Sequence, residues 1–276
     1  MGVELTPSEV QEETLHVVET ISSICQKSNS SWFTFYGSLI GAVRHRGFIP
    51  WDDDFDIAML RADFDRFVDY CHSHEDALKA EGYRLIDKSN SPDYPFNIPR
   101  FCDIRYRMET KEYPDAGMGV FVDIYPLDSV GDDPVGAEKR VVWKKKLYTI
   151  CAASASLHKP IESRGGAAQK LIKYALYLYS RNKNAHEFFY RFDRLPDRFN
   201  KDGRYVACLV WEMDFCAYPK EWFDTLIDVP FESITVKIPQ EYDRILRAYY
   251  GDYTTLPPEE ERCPTHDYKL FRKESE

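Results

Sequence analysis

The chain has 276 residues, 43% hydrophobic and 30% charged, a balance that permits a sizeable core and excludes a disordered chain. A net charge of −10 disfavours a broad grip on polyanionic nucleic acid. Seven cysteines, odd in number and without a C-x-x-C pair, argue against a zinc ribbon or disulfide framework and for a reducing cytoplasm.

The polar start carries no basic-then-apolar leader, and no apolar run approaches the ~18 residues of a spanning helix. MGVELT fits a myristoylation pattern only loosely. Residues 6–28 predict a helix, capped by Thr6 or Ser8 with Pro7 in its first turn. A β-rich run at 32–36 is broken by Gly37-Ser38, and 39–45 starts a short helix. A strand at 55–59 precedes an amphipathic helix at 63–80. Strands follow at 83–87, 101–109 and 120–125. Residues 138–183 read as helical, interrupted by Pro160 and Gly165-Gly166, with more helix at 188–199. Short strands at 205–210 and 234–238, a helix at 240–249 and a Pro-rich ordered loop at 251–268 follow. The pattern predicts an α+β fold: one domain over 1–276, a mixed sheet flanked by helices, with a helical insertion at 135–200.

Asp52, Asp53, Asp54 and Asp56 crowd into five residues, which costs free energy unless a cation or solvent screens them. A solvated acidic loop is the plain explanation, but Trp51, Phe55 and Ile57 interleave the acids. Asp54 and Asp56, two apart, share a face of a strand. Two such carboxylates suit one or two Mg²⁺ ions, which take hard oxygen ligands and substrate phosphates. Gly37 and Ser38, at a turn into a helix, offer amides and a hydroxyl to a phosphate. Asp123, alone in an apolar strand, is the expected third acid. Asp103 is the runner-up, but Arg105 can simply pair with it.

Arg44 suits phosphate oxygens or else neutralises the acidic loop, and His45 is weaker. His72 and His74, two apart on a helix, do not share a face. The acidic run lacks the spacing of an EF-hand.

The stretch FYGSLIGAVRHRGFIPWDDDFDIAMLRADFDRF closely resembles the signature of the LicD family, which is related to fukutin and the fukutin-related protein. GVFVDIYPLD and IPQEYDRILRAYYGDYTTLPP resemble further family blocks; residues 135–225 match nothing. The resemblance implies a nucleotidyltransferase fold of the polymerase-β type, with Gly37, Ser38, Asp54, Asp56 and Asp123 at the motif positions and Asp52 in the extended motif. It implies transfer of phosphocholine from CDP-choline to a sugar hydroxyl of a surface glycan, of teichoic acid or lipopolysaccharide type, on Mg²⁺ with Mn²⁺ as the alternative. Another phospho-alditol or a nucleotidyl group, or a non-catalytic binding relative, are the competing readings. His266 in the tail could cover the site. A quaternary ammonium wants an aromatic cage, for which Trp211, Tyr249, Tyr250 and Tyr253 are candidates against ordinary packing. Residues 138–183 hold eleven Lys and Arg against two Glu, so contact with an anionic membrane carrying a lipid-linked acceptor is expected there, placing the chain in the cytoplasm or at the inner face of the membrane.

Overall fold

Thr6 opens the first helix by reciprocal capping. Its hydroxyl accepts from the Glu9 amide, and the Glu9 carboxylate accepts from the Thr6 amide, satisfying donors that a helix start leaves orphaned. In the computed structural model, which describes residues 2–111, 113, 115–162, 166–210, 215–263 and 268–273, a short strand β1 (Val3–Glu4) leads into this helix, α1 (Pro7–Ser28). Next come β2 (Phe33–Thr34), α2 (Tyr36–Ile40), a π-helical turn Gly41–His45, β3 (Asp56–Leu60), α3 (Arg61–Ser73) and α4 (Glu75–Ala80). Then follow β4 (Tyr83–Ile86), β5 (Arg100–Asp103), β6 (Tyr106–Thr110) and β7 (Val120–Gly131). The second half holds α5 (Pro134–Leu157), α6 (Ala167–Ser180), α7 (Ala185–Asp193), β8 (Tyr205–Cys208), β9 (Tyr218–Pro219), β10 (Leu226–Phe231), β11 (Ile234–Pro239), α8 (Tyr242–Tyr250) and β12 (Tyr268–Arg272).

β7 is the spine of a mixed sheet. β3 runs parallel to it along one side, with Asp56 opposite Asp123. On the other side β5 pairs antiparallel with its first residues and β8 with its last. β2 and β4 extend this sheet outward, in the order β2-β3-β7-β5-β4. The Ile124 amide donates to Pro99 on the β5 side. Pro126, two residues on, faces the gap between β5 and β8, so its missing N–H leaves no partner unmet. α1 and α3 lie across β7 and cover it, which is why the strand reads as a nearly continuous apolar run.

The α+β class is as expected, and several boundaries differ. The helix predicted at 63–80 breaks at His74, whose backbone is not helical (φ −117°, ψ 21°). The strand predicted at 101–109 is two strands, because the Asp103 carboxylate accepts from the Arg105 amide and guanidinium and closes a turn. β10 carries Pro230, which hides it as a strand, yet it pairs with β11 over its whole length. β12, which begins at Tyr268 where the expected loop ends, pairs with β1 and β6.

α5, α6 and α7 pack on one another. Cys151, Ala152, Ala155, Ala185, Phe188 and Phe189 form a small cluster separate from the main core. A second, with Val141, Phe192 and Leu195, joins the helices to the end of β7 and to β8.

Candidate active site

The sheet register places two acids side by side. Asp56 opens β3, Asp123 lies opposite it on β7, and both are buried. Asp54, half-buried in the loop before β3, completes a cluster whose carboxylate oxygens lie within 4.8 Å of one another. Asp52, Asp53 and Asp54 meet the same distance criterion. The loop is held by its apolar residues: Phe55 is fully buried against Phe48 and Phe231, with ring centroids 6.0 and 5.1 Å away. Glu232, at the tip of the β10–β11 hairpin, accepts from the Phe48 amide at 3.1 Å.

Burial, followed by the charges of Asp54, Asp123 and Asp52, pushes the Asp56 carboxyl well above the ordinary carboxylate range, while a hydrogen bond with Tyr125 opposes the shift. Its Oδ1 is buried without a hydrogen-bond partner. A buried acceptor among like charges costs free energy unless a cation meets it. Three hard oxygen donors around such an atom fit Mg²⁺ or Mn²⁺.

The Gly-Ser turn serves the same cluster. The Ser38 hydroxyl accepts from the Asp56 amide at 2.9 Å, and the Asp56 carbonyl accepts from the Phe35 amide at 3.0 Å. Together these bonds lock α2 to the start of β3. Tyr36 takes φ +43° to enter that helix. A Cβ on Gly37 would stand 2.9 Å from a carboxylate oxygen of Asp52, so only glycine lets backbone and acid approach this closely. Arg44 is committed elsewhere: it donates to the Tyr253 carbonyl at 2.8 Å and to the His45 ring at 2.9 Å, tying the tail to the π-helical turn.

Arg100, which the sequence reading passed over, is the main addition. Its Nε and Nη2 donate to the two Asp123 oxygens at 2.7 and 3.4 Å. The guanidinium lies between the Phe96 and Phe121 rings, 4.1 and 3.9 Å from their centroids. Burial of Arg100 is outweighed by the Asp123 charge, which holds the guanidinium firmly protonated. Its signal in the sequence was faint: one Arg beside F-C-D, pairing with an acid 23 positions away. Tyr268 was also missed. Its hydroxyl donates to the Asp53 carbonyl at 2.5 Å, and its ring packs on Phe121 at 5.4 Å.

Of the proposed cage, Tyr249 packs 5.3 Å from Tyr36, and Tyr36 packs 4.9 Å from Tyr125, the tyrosine bonded to Asp56. Tyr250 adjoins Tyr249 at 4.7 Å. Tyr253 is buried, with its hydroxyl donating to Asp243. Trp211 and His266 lie outside the described residues. Asp103 pairs with Arg105. His72 bonds Asp87 at 3.0 Å, while His74 stacks on Tyr70.

The acid cluster falls inside a segment of the chain that a family model recognises. Residues 29–133 match the LicD/FKTN/FKRP nucleotidyltransferase-domain model. Among individual proteins, the chain is 28% identical to the lipopolysaccharide cholinephosphotransferase LicD of Haemophilus influenzae, over 97% of this chain and 98% of that one. It is also 49% identical to an uncharacterized protein of Rickettsia typhi, over 37% of this chain and 30% of that protein.

Proposed function

We propose that the chain is a phosphotransferase that moves phosphocholine from CDP-choline to a sugar hydroxyl of a surface glycan, on a sheet of the nucleotidyltransferase, polymerase-β-like type. The observation that carries this is the convergence of Asp54, Asp56 and Asp123, with one buried Asp56 oxygen lacking a partner, inside the family-matched segment. The name of the Haemophilus relative supports the choice of transferred group.

In this reading Asp54, Asp56 and Asp123 hold a divalent cation, Mg²⁺ or Mn²⁺. When bound, the ion offsets the charge of the donor diphosphate. Gly37, Ser38 and Asp52 shape the phosphate end, and Arg44 supports it through the tail. Tyr249 and Tyr250 are the rings to receive the quaternary ammonium. The sugar oxygen bonds to the choline-bearing phosphorus, the bond to the nucleoside phosphate breaks, and CMP leaves with the electron pair. The hydroxyl proton passes to a carboxylate of the cluster. Arg100 already donates to both Asp123 oxygens, which leaves Asp54 or Asp56 as the better placed acceptor.

The test is to offer the purified chain CDP-choline, CDP-ribitol and nucleoside triphosphates in parallel, with Mg²⁺ and a lipopolysaccharide or teichoic acid acceptor. CMP release and acceptor labelling are expected with CDP-choline, falling roughly a thousandfold or more in Asp54→Asn and Asp56→Asn. Full activity in Asp54→Asn would remove the site assignment, and turnover of another donor instead would replace the substrate.

A further inference from the structure

α6 carries its apolar side chains on the wrong side for a core. Among its residues only Ser180 is fully buried, and Lys173, Leu176 and Tyr177 are half-buried. At 100° per residue these four share the face that packs on α5. The opposite face presents Leu171 at 69% exposure, Ile172 at 60%, Tyr174 at 49% and Leu178 at 45%, while Tyr179 turns its ring toward Phe188 of α7. A helix on the surface of a water-soluble protein normally turns charge outward there, and contiguous apolar patches of this kind mark an interaction surface. On α5, Trp143 is 58% exposed, with the Lys144 ammonium 5.4 Å from its ring centroid.

Charge selects the partner. Residues 138–183 hold eleven Lys and Arg against two Glu in a chain of net −10. Lys139, Arg140 and Lys146 on α5, Lys170 on α6 and Arg181 just after it are exposed. A second copy docking through the same helices would bring two cationic segments together, which repels. A neutral apolar protein groove would leave the cations unanswered. An anionic lipid surface answers both features: acyl chains take Leu171, Ile172 and Leu178, the Tyr174 ring suits the headgroup boundary, and phosphates meet the cations. At ~1.5 Å rise per residue, α6 is about 21 Å long and suits lying in the interface plane. Among the described residues no helix is long and apolar enough to cross a membrane.

We propose that α6, with the cationic surface of α5, docks the protein peripherally on an anionic membrane, apolar face down. The proposal rests on this surface alone and stands whether or not the transfer reaction is assigned correctly.

The experiment is flotation of the full chain with vesicles of phosphatidylcholine alone and with phosphatidylglycerol added, at low and high salt. Binding is expected only with the anionic lipid, weakened by salt. In Leu171→Glu/Leu178→Glu it should fall about tenfold or more, with far-UV circular dichroism and melting temperature unchanged. Lys139→Gln/Arg140→Gln/Lys146→Gln, which leaves α6 intact, should weaken it as well. If the double variant misfolds, Leu171→Ser alone serves, since that side chain already faces water. Absence of binding to anionic vesicles at low salt, or binding indifferent to the α6 variants, overturns the proposal. So does a dimer in light scattering that the same variants dissolve without any vesicle binding.

Discussion

Asp56 is placed where its charge is least welcome, and its stability signature follows from that. Its folded-state pKa lies above the ordinary value of about 3.9, so between those two pKa values the native state binds more protons than the unfolded chain. Stability then falls as pH rises through that window and stays lowered above it. Asp56→Asn does not titrate. With chelator present it is expected to melt higher than the parent at pH 7, with the gain fading toward the carboxylate range and gone below it. Melting curves across pH check this; a variant less stable at pH 7 and unchanged at pH 3 would contradict it. Mg²⁺ should raise the melting temperature of the parent and leave that of the variant unmoved. Arg100 is the opposite case. Truncating it leaves Asp123 buried and uncompensated, a loss of about 3–5 kcal/mol. Urea unfolding of Arg100→Met measures it, and Arg100→Met/Asp123→Leu should recover much of the deficit, since the apolar pair no longer buries a lone charge.

At the scale of elements, the site depends on how β5, β3 and β7 are held in register. β5 brings Arg100 opposite Asp123, as β3 brings Asp56. Just before β7, Gly119 passes so near the β5–β6 turn that a Cβ there would stand 1.8 Å from the Asp103 carbonyl oxygen. Gly119→Ala must therefore shift β5 against β7. A loss of about 1–3 kcal/mol is expected, together with weaker divalent-ion binding as the Arg100–Asp123 pair is displaced. Chemical denaturation and Mn²⁺ titration read the two effects, and wild-type values in both would show that the turn yields without disturbing the strand. The acids themselves were legible in the sequence, because W-D-D-D-F-D-I alternates polar and apolar residues in a way that a solvated loop has no need of. Asp123 was legible as one carboxylate in an apolar strand. Arg100 and Tyr268 were not, because nothing local marks a residue whose partner is long-range.

Across the whole molecule, the last described strand pairs with the first. β12 lies between β1 and β6, and its Tyr268 reaches the carbonyl of Asp53 in the acidic loop. Deleting residues 264–276 would strip both neighbours of their ladder and expose the buried Leu270 contact surface. A lower melting temperature, greater aggregation by light scattering and loss of transfer activity are expected; an unaltered melt would show that the tail is only an appendage. Residues 135–225 resemble no family block, and the helices α5, α6 and α7 within them form a small cluster of their own, while the outward apolar face of α6 becomes visible only once its packing side is known.

Local chemistry determined what could be read without coordinates: the Thr6 cap, the periodicity of α1, the α+β class and the acid-rich strand start all arise from neighbours within a few positions. Tertiary structure decided which acids meet, what holds them and which helix face stays bare. Those outcomes depend on strand register and on pairs separated by tens to hundreds of residues, such as Arg100 with Asp123 and Arg44 with Tyr253. The energy of such a pair comes from burial, and burial is a property of the assembled fold that no short window of sequence contains.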